Sequence, residues 1–121
     1  VWGSSGEIGR AVLRKLNTEG WITVGVARDS TRFPQIADHQ FEVNFDEPSM
    51  IVQIVYLISQ QISDINFWFY AAGDITYQKA SQTAPQDWQR IISANLSDAF
   101  YALQHNLPLL IENAHIFSWA Q

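Results

Sequence analysis

Gly3, Gly6 and Gly9 recur at intervals of three in the opening stretch "VWGSSGEIGRAVLRKL", with Ser4 and Ser5 between the first two. Two apolar residues run into this loop, and a run with helical spacing (Ile8, Ala11, Val12, Lys15, Leu16) follows it. A tight strand-to-helix turn needs backbone shapes that a Cβ forbids, and glycine allows them. Stripped of side chains, the loop also lets a bulky anion approach the backbone. The first turn of the following helix offers unpaired N–H groups and the positive end of its dipole, which suit a diphosphate. Ser4 and Ser5 add hydroxyl donors, Ile8 sits in the first turn, and Gly9 allows the helix to close on the sheet. The plainer alternative is a set of turn glycines. The position of the loop, after an apolar pair and before a periodic helix, favours dinucleotide binding. Glu7 is a poor neighbour for an anion, so its carboxylate should face solvent.

The elements that must hold such a loop can be read from the rest of the chain. Gly20 ends the first helix. Residues 21–27 are β-branched and apolar and predict a buried strand. A polar connection follows, with at most a short helix near Pro34, and then a weaker strand over 39–45. Pro48 and Ser49 open a helix whose stripe is Ile51, Ile54, Val55, Ile58 and Ile62. Residues 65–70 predict a strong strand and 83–103 a long helix that Pro108 bends or ends. Residues 114–120 predict a last strand. Strands alternating with helices imply parallel pairing through right-handed crossovers, hence an α/β fold with a doubly wound parallel sheet in three layers, α/β/α.

Composition narrows the function classes. The 121 residues fit one domain, with 47% hydrophobic and 16% charged residues, as in a globular protein. A net charge of −5, from 7 basic and 12 acidic residues, and no basic cluster argue against a nucleic-acid surface. There is no cysteine for a disulfide or thiolate metal site. His39, His105 and His115 lack the spacing of metal ligands, so no metal is expected. No apolar run approaches the ~20 residues that span a bilayer, which points away from a membrane partner and favours the cytoplasm.

Four stretches together carry a family resemblance. The loop "GSSGEIGR", the segment "FYAAG", the helix "DWQRIISANLSDAFYAL" and the strand "AHIFSWAQ" occur in the order seen in the short-chain dehydrogenase/reductase superfamily, which the chain resembles over nearly all its length. The glycine spacing is that of extended and divergent members, and Glu7 replaces the standard branch's middle glycine. Tyr70 and Ala71 stand where the family has two asparagines before Ala72 and Gly73. Asn95, 22 positions beyond Gly73, matches the family's structural and catalytic Asn. The resemblance implies a Rossmann-type sheet and hydride transfer between a nicotinamide coenzyme and a small carbonyl or alcohol substrate. It also implies a cofactor seat made of Gly3, Ser4, Ser5, Gly6, Ile8, Gly9, Arg28, Asn44, Phe45, Ala71, Ala72 and Gly73.

The strand that ends "VGVARDSTR" bears on which coenzyme. Ala27 occupies the family's acidic, NAD-type position and Arg28 follows it. An arginine can neutralise and fork onto a 2′-phosphate, so NADP is favoured over NAD, with Arg32 able to help. Asp29, about 20 residues past the glycine loop, keeps NAD open, and Arg28 with Asp29 also reads as a solvated loop pair. In "VNFDEP", Asn44 stands in the family's Asp place. It can accept from an adenine amino group and donate to a ring nitrogen, or close a turn at a strand end.

The family's proton-transfer pair, Tyr-x-x-x-Lys, does not occur. Tyr56, Tyr70, Tyr77 and Tyr101 are followed at the fourth position by Gln60, Asp74, Ser81 and His105. Ser118 lies in the last strand but falls about three residues before the family's catalytic Ser, whose place is Gln121 or beyond, so a strand hydroxyl is the stronger reading for it. The resemblance gives Asn95 a supporting role in a water relay; a core Asn bracing backbone is the equal alternative, and the two are compatible. Only Val1 and Trp2 remain of a first strand where about five residues are usual, and no helix follows the last one. The expectation is therefore a fragment of a longer chain whose catalytic pair lies beyond residue 121. A non-catalytic nucleotide sensor and an extended-type sugar-nucleotide epimerase or dehydratase remain as alternatives, and a homo-oligomer through the helix at 88–103 is open.

Overall fold

A computed structural model describes residues 1–29, 36–44 and 47–119. Helix α1 (Glu7–Thr18) leads to strand β1 (Val24–Ala27), then β2 (His39–Glu42), α2 (Pro48–Gln61), β3 (Ile65–Tyr70), α3 (Pro85–Ile92), α4 (Asp98–Asn106) and β4 (Leu110–Ser118). β1 pairs with β2 and β3 with β4, all in parallel. Trp2 joins the two pairs through parallel bridges to Val26 and Tyr70. Its N–H donates to Phe69 O at 2.8 Å, and its carbonyl accepts from Ala71 N–H at 2.7 Å. The order is thus β2, β1, Trp2, β3, β4, a doubly wound Rossmann-type sheet in which Trp2 stands for the central strand.

The predicted stripe of α2 is what the core uses. Ile51, Ile54, Val55 and Ile58 pack with Trp2, Val26, Val43, Trp68, Tyr70 and Ala102 in one cluster, so α2 and α4 cover the same face. Each large side chain fully buried there contributes roughly 1.5–3 kcal/mol. Leu13 of α1 is buried outside that cluster, as expected if the first crossover lies on the opposite face.

Three boundaries differ from expectation. β1 begins at Val24, not at 21, because Trp21 and Ile22 are exposed and Thr23 is tied to side chains: its N–H donates to Asp38 Oδ2 at 2.9 Å and its hydroxyl to Asn17 Oδ1 at 2.8 Å. The last strand starts at Leu110, four residues early, with an irregular step between Ile65 and Phe67 on its neighbour. The long helix is not continuous. A π turn at Ser93–Ser97 separates α3 from α4, and a 3₁₀ turn at Leu107–Leu109 carries Pro108. The connection containing Pro34 lies outside the described residues.

Candidate functional site

The glycines serve three different local needs. Gly3 has φ +88°, and a Cβ there would press into the Ala71–Ala72 backbone, so only glycine lets the turn lie against the exit of β3. At Gly9 a Cβ would enter the Gly3 carbonyl, which makes the contact between turn and helix possible. Gly6 has ordinary extended backbone, and its nearest neighbour to a Cβ is Gly3 O at 3.6 Å. Its bareness therefore opens space rather than relieving a clash.

Gly6 is the N-cap of α1 and supplies no side-chain cap. Gly3 and Ser4 spend their N–H groups on Val26 O, at 2.8 and 3.0 Å, and Gly6 spends its own on Gly3 O. Arg10 is the first residue of the helix to reach back, to Gly6 O at 2.9 Å. The amides of Glu7, Ile8 and Gly9 precede that bond, and no carbonyl among the described residues accepts from them. They form the uncapped, positive end of a 12-residue helix. Glu7 is exposed, as required for an anion to approach.

Ser4 departs from expectation: it is buried, its hydroxyl packs against Gly25 near Ala37, and it lies under the turn rather than at its mouth. Ser5, half-buried, is the hydroxyl residue next to the open amides.

The other singled-out residues gather at the same, carboxyl edge of the sheet. Arg28 is exposed directly after β1, Asn44 is exposed two residues after β2, and Ala71, Ala72 and Gly73 follow β3. Ser118 ends β4 opposite Tyr70 and is exposed, on the outer strand. Phe45, Arg32 and Gln121 lie outside the described residues.

Asn95 sits inside the π turn and fastens the loop after β3 to the helix. Its Nδ2 donates to Asp74 O at 2.6 Å and to Ile91 O at 2.9 Å, and its Oδ1 accepts from Asp74 N–H at 3.3 Å. Ile91 O is the carbonyl that the Asn95 amide would take in a regular α-helix, so the side chain competes with the helix for it. Gly73 leaves the room that Asn95 Oδ1 needs. Neighbouring Ala94 O accepts from the buried Tyr70 hydroxyl at 3.0 Å. Burial raises the Tyr70 pKa, Asp98 adds to the rise, and Arg28 opposes it. The phenol is therefore a neutral donor, not a base.

Sequence reasoning missed the Tyr70–Ala94 bond and the ion pair of Arg90 with Asp74. Residue types alone do not announce them, since the partners are 24 and 16 positions apart in the sequence. No group of metal-ligating side chains occurs among the described residues, and no helix there is long and apolar enough to cross a membrane. A partly open, mainly apolar cavity of about 80 Å³ lies near Val1, Val24 and Phe67 at the amino edge of the sheet, away from these groups.

The model of the short chain dehydrogenase family matches residues 1–116, and the chain belongs to that family. It is 26% identical over 133 residues to an uncharacterized oxidoreductase of Staphylococcus epidermidis, covering 99% of this chain and 56% of the relative. It is 24% identical over 123 residues to serine 3-dehydrogenase of Agrobacterium fabrum, covering 96% of this chain and 49% of the relative. The chain thus spans about half the length of the curated relatives it matches. Among solved structures, a short-chain dehydrogenase/reductase described as glucose/ribitol dehydrogenase from Brucella melitensis superposes with a TM-score of 0.86 at 22% identity, over 98% of this chain and 54% of that one. At that identity the likeness bears on the fold alone.

Proposed function

We propose that the chain is the single dinucleotide-binding domain, or a part of it, of an NAD(P)(H)-dependent oxidoreductase that moves hydride between the nicotinamide and a small carbonyl or alcohol substrate. One observation carries the reading: the amides of Glu7, Ile8 and Gly9, which no carbonyl among the described residues takes, lie beside a glycine turn that is pressed onto the exit of β3. A diphosphate fits those amides by charge and by the space that Gly6 leaves. The coenzyme, when bound, supplies the hydride chemistry.

This chain's residues bind and orient. Ser5 lends a hydroxyl to the diphosphate, and Ala71 and Ala72 let a ribose approach β3. Asn44 meets the adenine side. Asn95 holds the loop at Asp74, and Ser118 is an exposed residue of β4 with no catalytic part. The family's Tyr-x-x-x-Lys pair has no counterpart in residues 1–121, so these residues hold the coenzyme without completing proton transfer.

The preferred coenzyme is NADP, because Arg28 stands at the end of β1 where a 2′-phosphate would lie and the position before it is Ala27. The setting is the cytoplasm, and the assembly a homo-oligomer through α3, the π turn and α4, which expose Trp88, Leu96 and Phe100. In a fluorescence titration, Arg28→Ala should weaken NADPH binding by about tenfold, the loss of one charged hydrogen-bonding partner, and leave NADH nearly unchanged. Equal losses for both coenzymes would remove the NADP assignment.

A further inference from the structure

Tyr70 is the last residue of β3, and its surroundings leave it one position. Its carbonyl accepts from Trp119 N–H at 2.9 Å, and the next amide, that of Ala71, donates to Trp2 O at 2.7 Å. The residue is buried, and its ring stacks on Trp68 with centroids 6.0 Å apart. The hydroxyl therefore ends at a set point against the π turn, where it donates to Ala94 O at 3.0 Å. In a regular α-helix that carbonyl would go to the Asp98 amide. At the end of the π turn the Asp98 amide goes to Ser93 O instead. Ala94 is buried, so the donor for its carbonyl comes from β3.

The next residue is Asn95, whose side chain holds Asp74 O at 2.6 Å and Asp74 N–H at 3.3 Å. A closed circuit results: β3, the Tyr70 hydroxyl, Ala94, Asn95, and back to the loop that leaves β3. Ala71, Ala72 and Gly73 lie inside it, and the Gly3 turn presses on the Ala71–Ala72 backbone. Across the sheet the order is β2, β1, Trp2, β3, β4. With Arg28 after β1 and the open amides of α1 after Trp2, whatever lies beyond the diphosphate of a bound dinucleotide falls over β3 and this circuit.

We infer that Tyr70 is a positioning residue for the nicotinamide half of the coenzyme: its hydroxyl sets the π turn, the π turn sets Asn95, and Asn95 sets the loop that this half meets. The inference rests on the coenzyme-binding reading above and adds to it a residue that acts from within the core. A phenylalanine would fill the same space and break the circuit at its first bond.

The test titrates the intact protein and its Tyr70→Phe variant with NADPH and with 2′,5′-ADP, the adenosine half alone. The variant should bind NADPH about fivefold or more weakly, the order expected for one lost buried hydrogen bond, and should bind 2′,5′-ADP as the wild type does. Asn95→Ala should act in the same direction, and the double variant should lose no more than Asn95→Ala alone, as for two residues on one path. Without ligand, the Asp74 amide should exchange with solvent faster in Tyr70→Phe. Ile58→Val trims the same core on α2, away from the π turn, and should leave both affinities unaltered; melting temperatures report folding. Equal losses for NADPH and 2′,5′-ADP overturn the positioning role alone, as do unchanged affinities and Asp74 exchange in a folded Tyr70→Phe. A wild-type protein that binds neither molecule overturns the coenzyme reading and this one with it.

Discussion

Gly6 and Gly9 look interchangeable in the sequence, yet the space around them differs. A methyl at position 9 would enter the Gly3 carbonyl, whereas one at position 6 would meet nothing nearer than 3.6 Å. Gly9→Ala should therefore destabilise the fold by about 1–3 kcal/mol, the usual range for overpacking. Gly6→Ala should stay within about 0.5 kcal/mol of wild type while weakening dinucleotide binding at the mouth it narrows. Chemical denaturation and a binding titration on the two variants separate these effects; equal stability losses would contradict the division of roles. The glycine turn at the start of α1 was legible from residue type and spacing. Ser4 was not, because a serine in a loop reads the same whether its hydroxyl faces a ligand or, as here, tucks beneath the turn against Gly25.

At the scale of elements, the segment between Pro85 and Asn106 behaves as two helices around a wider turn. Its sequence reads as a single amphipathic run, since hydrophobic periodicity tolerates one extra residue and nothing local marks the interruption. The cause is tertiary. Asn95 takes the Ile91 carbonyl and Tyr70 takes that of Ala94, so the π turn is maintained by bonds to its own side chain and to β3. Asn95→Ala removes the tie to Asp74 as well, and should destabilise the protein by about 1–2 kcal/mol. The Asp74 amide should then exchange with solvent faster, which hydrogen exchange resolved to the 73–75 segment would show. Unchanged exchange there would mean that the loop stands without Asn95. The strand cores were easier to foresee than their ends. Val24–Ala27 and Ile65–Tyr70 are short apolar runs with few other uses, while Thr23 is drawn out of β1 by a partner, Asp38, fifteen positions away.

The whole molecule was legible as a class, because alternating strands and helices leave few alternatives to a parallel doubly wound sheet. Its two strand pairs meet at Trp2. Trp2 bridges Val26 and Tyr70, and the amine of Val1 donates to Val24 O at 2.7 Å. In a polypeptide that begins at Val1, burial lowers that ammonium from 8.0 to about 5. The folded form then holds fewer protons than the unfolded form between those values. Stability should rise as the pH goes from about 5 to 8 and level off above it. A longer polypeptide, with an amide at this position, should lack that contribution in thermal melts over the same range; identical pH profiles for the two would contradict it. The central claim concerns the other end of the central strand, where three amides of α1 have no carbonyl acceptor among the described residues. Hydrogen exchange of the intact protein with and without NADPH addresses it most directly. Strong protection of the amides of Glu7, Ile8 and Gly9 on addition of NADPH is the expected result. Exchange at these three positions that is unaffected by saturating NADPH and by saturating NADH would contradict it.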